Sequence, residues 1–531
     1  MDTLSSTTPH VEEIIAMGVA QLARQIAAGA VTAQEAVEVY IRRIEAVNPR
    51  LNAVVVPLFE QARADAAAAD AGQARGEALG PLHGVPVSIK ESFHIAGTPA
   101  TGGIPQWADN TASADNPLVA RLRAAGAVVL GKTNVPELLF YLEADNPVYG
   151  RTNNPWNLDR SPGGSSGGEG ALVAAGGSAF GMGTDIGGSI RVPAHCCGIH
   201  GLKPTAGRLT MHDTFDEVII PGQEAILAQP GPLARHVADL ALAMRVLAAP
   251  GQQHFDPSIP PVPWPDPALV SVEDLRIAYY TDDGFITPAP ALRRAVEEAA
   301  AALRDRGAHV EVFTPPDVAE GMQLFFSLLS ADGAASARRV LGKGRHDRRI
   351  RDLTRIAGLP AGARAAFAAG LKLAGQHRLA MNVGTMKRRS IDSYWQLIAA
   401  RTQYRARFLA ALDAGGFDVI LCPPSAHPAV LHGESYYLTA VASYTMLYNL
   451  LGMPAGIVAA TRVRNGEEGN QPPSKDLVER AARAVEAGSV GLPIGVQVVA
   501  RHWREDAVLA VMAALEDHFR AQPDYPAQPP V

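Results

Sequence analysis

Cysteine is scarce in this chain: three residues in 531, Cys196, Cys197 and Cys422. That excludes a disulfide framework and fits a reducing compartment. Basic charge is not in excess either. Lys and Arg number 47 against 53 Asp and Glu, a formal net charge of −6, so the positive footprint of a nucleic-acid partner is missing. No apolar run approaches the roughly 18 residues that a membrane-spanning helix needs. The start, "MDTLSSTTPHVEEIIAMG", lacks the basic region and apolar core of a secretory signal. The expectation is a cytoplasmic protein with no transmembrane segment. Metal-ligand spacing is nearly absent. "HCCGIH" (195–200) packs two histidines and two cysteines together, but adjacent cysteines do not comfortably reach one tetrahedral ion and no CxxC pair follows. These four read as core or as neighbours of a site, and no metal or cofactor is expected.

What is present is an alternation of helix and strand. Residues 11–47 carry helical apolar spacing, with Thr32 and Glu35 forming a capping box. "GVPVSIKES" (84–92) alternates Val85, Val87 and Ile89 against Ser88 and Lys90 and reads as a strand. "PLVARLRAAGAVVLGKTN" (117–134) is a helix, a glycine stop and a buried strand, and the same unit recurs at 290–313 after the strand "LRIAYY". Further strands are expected at 418–423 and 493–500, with a last helix at 505–520. The alternation implies an α/β fold with a largely parallel sheet. The Pro-rich 249–266 and the polar 464–476 read as surface loops.

One stretch stands apart, "GGSSGGEGALVAAGGSAFGMGTDIGGSIR" (163–191). Its apolar residues speak against a flexible linker. Its spacing misses both the P-loop and the dinucleotide fingerprint. "GGSSG" satisfies the hydrolase elbow Gly-x-Ser-x-Gly around Ser165 and Ser166, but the residues before it, "NPWNLDRSP", are loop chemistry where the elbow needs a strand. What remains is a site of lysine and serines. The glycines of "TDIGG" can expose consecutive N–H groups as an anion nest. Ser189, directly after them, can attack a carbonyl whose oxyanion falls on the N–H groups of Ile186, Gly187, Gly188 and Ser189. Lys90 can serve as base once desolvation lowers its pKa.

These residues resemble the amidase signature family of serine hydrolases. The likeness runs through "LNAVV" (51–55), "GPLHGVPVSIKESF" (80–93), "GKTNVPE" (131–137), "NPVYGRTNNPWN" (146–157), "GLKPTAGRL" (201–209), "GPLARHVADLALAM" (231–244) and "GLPIGVQVVA" (491–500), in the family's order. It implies a single large α/β domain over 1–531, a mixed, mostly parallel β-sheet core wrapped by α-helices. Within it lie an N-terminal helical region at 11–75, a signature core at 80–250 and a helical basic insertion or cap at 320–400. The resemblance also implies a Ser–Ser–Lys triad: Ser189 as nucleophile, Ser165 as bridging serine after a cis Gly164–Ser165 bond, and Lys90 as base. Ser166, Asp185 and Arg191 take supporting roles.

Ile186 after Asp185, and "SYTMLYNLLGMPAGIV" (443–458), resemble the fatty acid amide hydrolase branch. That branch implies acyl contacts at Leu139 and Phe140, positions that ordinary core packing would also explain. The expected activity is hydrolysis of apolar acyl or aryl amides, and of esters, on a small-molecule substrate. The alternatives are a protein like the amidase-type subunit of glutamyl-tRNA amidotransferase, and a non-catalytic binding protein on the same fold. Residues 338–389 hold fourteen Lys and Arg against Asp347 and Asp352. Inside them, 359–375 reads as a basic amphipathic helix, open to three readings: a peripheral membrane contact or substrate entrance, an interface between protomers as in a homodimer, or a solvated face.

Overall fold

The computed structural model describes residues 8–439, 442–469 and 473–531. The apolar spacing of 11–47 resolves into three helices, Thr8–Ala16, Val19–Ala27 and Ala33–Leu51. The chain turns at Gly18 and again at Gly29, whose φ of +73° favours glycine. Thr32 caps the third helix by accepting the Glu35 N–H at 3.0 Å.

Strands β1 (Val54–Pro57), β2 (Pro86–Lys90) and β3 (Val128–Thr133) open the sheet. A short hairpin of β4 (Asp145–Asn146) and β5 (Gly150–Arg151) stands apart from it. β6 (Phe180–Asp185), β7 (His200–Lys203), β8 (Gln229–Ala234), β9 (Arg276–Tyr279), β10 (His309–Val312), β11 (Val419–Cys422), β12 (Ala455–Arg462) and β13 (Pro493–Ala500) complete it. The order is β1-β3-β2-β6-β8-β7-β12-β13-β11-β9-β10, a single eleven-stranded sheet. The mixed α/β domain expected from sequence is what forms. Parallel pairing is confined to two blocks, β3-β2-β6 and β11-β9-β10. The helix–glycine–strand units of the sequence feed these two blocks. The other neighbours, from β6 through β8, β7, β12 and β13 to β11, together with β1 on β3, are antiparallel.

β8 has no strand signature, because it carries Pro230 and Pro232, and proline donates nothing to a ladder. Its place between β6 and β7 is tolerated because β7 pairs only with Leu233 and Ala234. The proline half of β8 is thus laddered on one flank only, against β6.

The basic stretch 338–389 forms the helices Ala335–Leu341, Arg348–Ala357, Ala361–Leu373 and His377–Thr385. Its charge is not all surface charge. Arg349 is buried against Glu143, Asp145 and Asp347, at 3.1, 3.6 and 2.9 Å, and Arg378 pairs with Asp476 and Glu479. Acids far away in sequence thus neutralise part of the local excess. In the helix Ala361–Leu373, Phe367 and Leu373 are exposed and the buried side chain is that of Arg364.

Candidate active site

Two strand ends and one loop build the site. Lys90 is the last residue of β2, and Thr184 and Asp185 end the neighbouring β6. Ser165 and Ser166 precede the helix Gly167–Ala174, which lies against β6. Glycine in β6 permits that contact: a Cβ at Gly181 would stand 1.9 Å from Glu169 Oε2. Glu169 itself accepts from Ser88 Oγ at 2.5 Å and Thr133 Oγ1 at 2.7 Å, and burial lifts its pKa to about 8.

Lys90 is fully buried, and its Nζ donates to Ser165 Oγ and to Thr184 Oγ1, both at 2.7 Å. Burial lowers its pKa to about 8, against the attraction of Asp216, Asp185, Glu169 and Glu91. The Gly164–Ser165 peptide is cis, as the family resemblance implied. Ser189 opens onto the cavity that Ser165 and Thr184 also line. Its hydroxyl makes no hydrogen bond to protein among the described residues, so the two serines share a cavity without a formed link between them.

The turn after β6 is held by Asp185. Its carboxylate accepts the N–H groups of Gly188 at 2.8 Å and Ile190 at 3.1 Å, and forms an ion pair of 2.9 Å with Arg191. Both side chains are wholly buried, and the guanidinium holds the carboxyl well below the usual carboxylate range after outweighing the burial cost. Arg191 also donates to the Thr445 carbonyl, Gln497 Oε1 and Asn449 Oδ1. Thr445 Oγ1 donates to the Gly187 carbonyl at 2.8 Å. Gly188 has φ +127°, and a Cβ there would lie 2.4 Å from Thr445 Oγ1, so only glycine fits.

One expected anion donor is thereby removed. The Gly188 N–H is turned onto Asp185, because that bond closes the turn. Among the described residues the N–H groups of Ile186, Gly187 and Ser189 have no acceptor in the protein. Ser166 donates to the Thr184 carbonyl at 3.3 Å, and its N–H meets the Ser189 carbonyl at 3.1 Å, which couples the two halves of the glycine-rich stretch.

Two cavities meet at Ser189. The smaller, about 120 Å³, is lined by Ser165, Thr184, Asp216, Ile219 and Ile220 among others. The larger, about 320 Å³, is lined by Leu142, Phe325, Leu379 and Met446 among others. Leu139, Phe140 and Ile186 face both. Leu138 and Leu139 hold left-handed φ values of +62° and +53°, costing about 1–3 kcal/mol each. Their loop is fixed by Glu137 and by packing with Ile104, Val135 and Phe215.

The residues of "HCCGIH" lie elsewhere. His195 Nδ1 accepts the Gly495 N–H and His200 Nδ1 the Ala459 N–H, and all three cysteines are buried and free. Sequence reasoning missed Thr184, Asp216, Thr445, Asn449 and Gln497. Thr184 carries a signal, adjacent to Asp185 in "GTDIGGS". Thr445, Asn449 and Gln497 lie in the stretches 443–458 and 491–500 that carry the family resemblance, while Asp216 has no local pattern.

An Amidase family model matches residues 35–509. The fatty-acid amide hydrolase 1 of Sus scrofa is 35% identical over 510 residues, covering 95% of this chain and 86% of the relative. A glutamyl-tRNA(Gln) amidotransferase subunit of Roseiflexus castenholzii is 32% identical over 503 residues, covering 93% of this chain and 94% of the relative. A solved fatty acid amide hydrolase superposes with a TM-score of 0.82 at 28% identity, covering 96% of this chain and 86% of that one. The chain belongs to the amidase family and is an amide hydrolase acting on carbon–nitrogen bonds, close to the fatty acid amide hydrolases.

Proposed function

We propose that the chain hydrolyses apolar acyl or aryl amides, and esters, through an acyl-enzyme on Ser189, with Ser165 relaying protons and Lys90 as base. The observation that carries this reading is the 2.7 Å contact of Lys90 Nζ with Ser165 Oγ, at the wall of a cavity that Ser189 also lines. Neutral Lys90 takes the Ser165 proton while Ser165 takes that of Ser189, and Ser189 Oγ bonds to the carbonyl carbon. The N–H groups of Ile186, Gly187 and Ser189 receive the oxyanion, each donor contributing about 3–4 kcal/mol. The proton then returns from Lys90 through Ser165 to the leaving nitrogen and the C–N bond breaks. Water, deprotonated along the same relay, hydrolyses the ester and restores Ser189. Asp185, Arg191 and Ser166 support the turn and do not touch the reacting atoms.

Ser165 must reach the leaving nitrogen, and it lines only the smaller cavity. That side therefore takes the leaving amine. The larger, apolar cavity takes the acyl group, against Leu139 and Phe140. Its lining favours an apolar acyl group over glutamine, although the likeness to an amidotransferase subunit keeps glutaminase as a second reading. A panel of amides varied in acyl length and leaving amine, with glutamine included, tests this on wild type and Ser189→Ala. Turnover of apolar amides that Ser189→Ala abolishes is the expected result. Glutamine as the preferred substrate, or activity that survives Ser189→Ala, would overturn it. Labelling of Ser189 by a fluorophosphonate separates an enzyme from a binding protein.

Phe367 and Leu371 of the helix Ala361–Leu373 line the larger cavity, which supports a substrate entrance there. A peripheral membrane contact through 338–389 is checked by co-sedimentation with anionic vesicles, a homodimer by light scattering. A cytoplasmic location stays part of this proposal; no helix among the described residues is long and apolar enough to cross a membrane.

A further inference from the structure

Thr184 Oγ1 stands between two groups that fix its direction. It is 2.7 Å from Lys90 Nζ and 3.0 Å from Asp216 Oδ1. An ionised carboxylate only accepts, so the single hydroxyl proton goes to Asp216 and Thr184 meets Lys90 with a lone pair. Lys90 therefore donates to Thr184 whether it is charged or neutral. A neutral lysine has one lone pair, and the remaining hydroxyl at hydrogen-bond distance is Ser165 Oγ, 2.7 Å away. Without an acceptor at Asp216, the Thr184 hydroxyl is free to rotate and donate to Lys90. It would then occupy the lone pair that the relay requires.

We propose that Asp216 is a positioning residue for amide hydrolysis, acting through Thr184 to turn the lone pair of Lys90 onto Ser165. The proposal rests on the reading of Lys90 as base and Ser165 as relay. Asp216 sits in the short helix Phe215–Ile219, which Phe215 anchors among Ile104, Val135 and Leu138. Its second oxygen, Oδ2, is buried and meets no hydrogen-bond donor among the described residues. The carboxylate's hydrogen bond within the protein is the one from Thr184.

The charge of Asp216 adds a second signature. Four carboxyl groups hold the Lys90 proton: Asp216 from the helix Phe215–Ile219, Asp185 from the end of β6, Glu169 from the helix Gly167–Ala174 and Glu91 just after β2. Asp216 exerts the largest of these attractions. Asp185 is engaged by Arg191, Glu169 by Ser88 and Thr133, and Glu91 by Thr101 and Gly102. Loss of the Asp216 charge therefore lets Lys90 deprotonate at lower pH, while loss of its acceptor misdirects the lone pair. A purely structural residue would produce no such split.

The test is the rate at which a fluorophosphonate labels Ser189, followed against pH on the full chain, because it reads nucleophile activation without a known substrate. Asp216→Leu is expected to slow labelling at the high-pH plateau at least tenfold. Asp216→Asn, whose amide oxygen still accepts from Thr184, recovers most of that loss. In both variants the rising limb moves to lower pH. Thr184→Val and Thr184→Ser form a second pair that leaves the helix Phe215–Ile219 untouched, the valine slow and the serine rescued. Equal losses in the leucine and asparagine variants with an unmoved limb, or Asp216→Leu labelled within twofold of wild type, overturn this inference alone. No labelling of wild-type Ser189 at any pH overturns the reading beneath it.

Discussion

The carboxylate of Glu137 meets His346 Nδ1 at 2.6 Å across 209 positions of chain, and its second oxygen accepts the Asp347 N–H, also at 2.6 Å. Glu137 directly precedes Leu138, Leu139 and Phe140, which wall the cavities. His346 and Asp347 lead into the helix Arg348–Ala357, whose Leu353 faces both. One buried acid thus ties the loop on one side of the two cavities to the helix Arg348–Ala357 on the other.

Removing that acid should loosen the helix Arg348–Ala357 before it unfolds the protein. Glu137→Ala leaves the half-buried His346 imidazole and the Asp347 N–H without that partner, at up to about 1–3 kcal/mol each. Trypsin should then cut rapidly within 338–355, at basic residues it reaches only slowly in wild type. Mass spectrometry of the first fragments checks this, and an unchanged cleavage pattern counts against the tie.

Burial lowers the pKa of Lys90, the proposed base, to about 8. The base is neutral above that value, so kcat/KM should rise about tenfold per pH unit below it and level off above. An essential general acid with the same pKa would give the opposite slope. Rates measured from pH 6 to 10 on an amide with slow chemistry decide it, and a flat profile there removes Lys90 from the base role.

Asp185→Ala should be among the most damaging substitutions in the chain. It leaves Arg191 charged and buried beside Thr445, Asn449 and Gln497. Breaking a buried pair from one side costs about 3–5 kcal/mol. Calorimetry should show a markedly lower Tm, and Ser189 should no longer react with a fluorophosphonate.

Gly188→Ala separates catalysis from stability more cleanly. Its Cβ collides with Thr445 Oγ1 in a backbone conformation that alanine avoids. Displacing the turn moves the N–H groups of Gly187 and Ser189, and loss of one such donor typically costs about 10²–10³ in kcat. Removing the hydroxyl in the way with Thr445→Ala should restore little, because the strain lies in φ as well as in space and Thr445 Cβ would still stand 2.9 Å from the new methyl.

Much of this is legible in the sequence where the cause is local. The Thr32 cap, the helix that Asn116 caps at 3.3 Å or less, and strands β2, β3, β9, β11 and β13 follow from spacing and capping chemistry. The family resemblance implies Lys90, Ser165 and Ser189, with Lys90 Nζ on Ser165 Oγ and both serines on one cavity in the structure. What escapes is non-local. β8 is hidden by prolines that its half-open flank tolerates. Asp216 lies in "HDTFDEV" with no periodicity to mark it, and His346 becomes a partner of Glu137 only once the chain has folded. The basic excess of 338–389 looks like a single surface feature because the acids that neutralise Arg349 and Arg378 come largely from other segments.

The reach of Arg191 also sets the order in which the protein gains its function during synthesis. Lys90, Ser165 and Ser189 all leave the ribosome in the first part of translation. The turn that carries Ser189, however, is pinned by Thr445, Asn449 and Gln497. A chain that stops before these residues holds Lys90, Ser165 and Ser189 without the hydrogen-bond partners that pin the turn after β6.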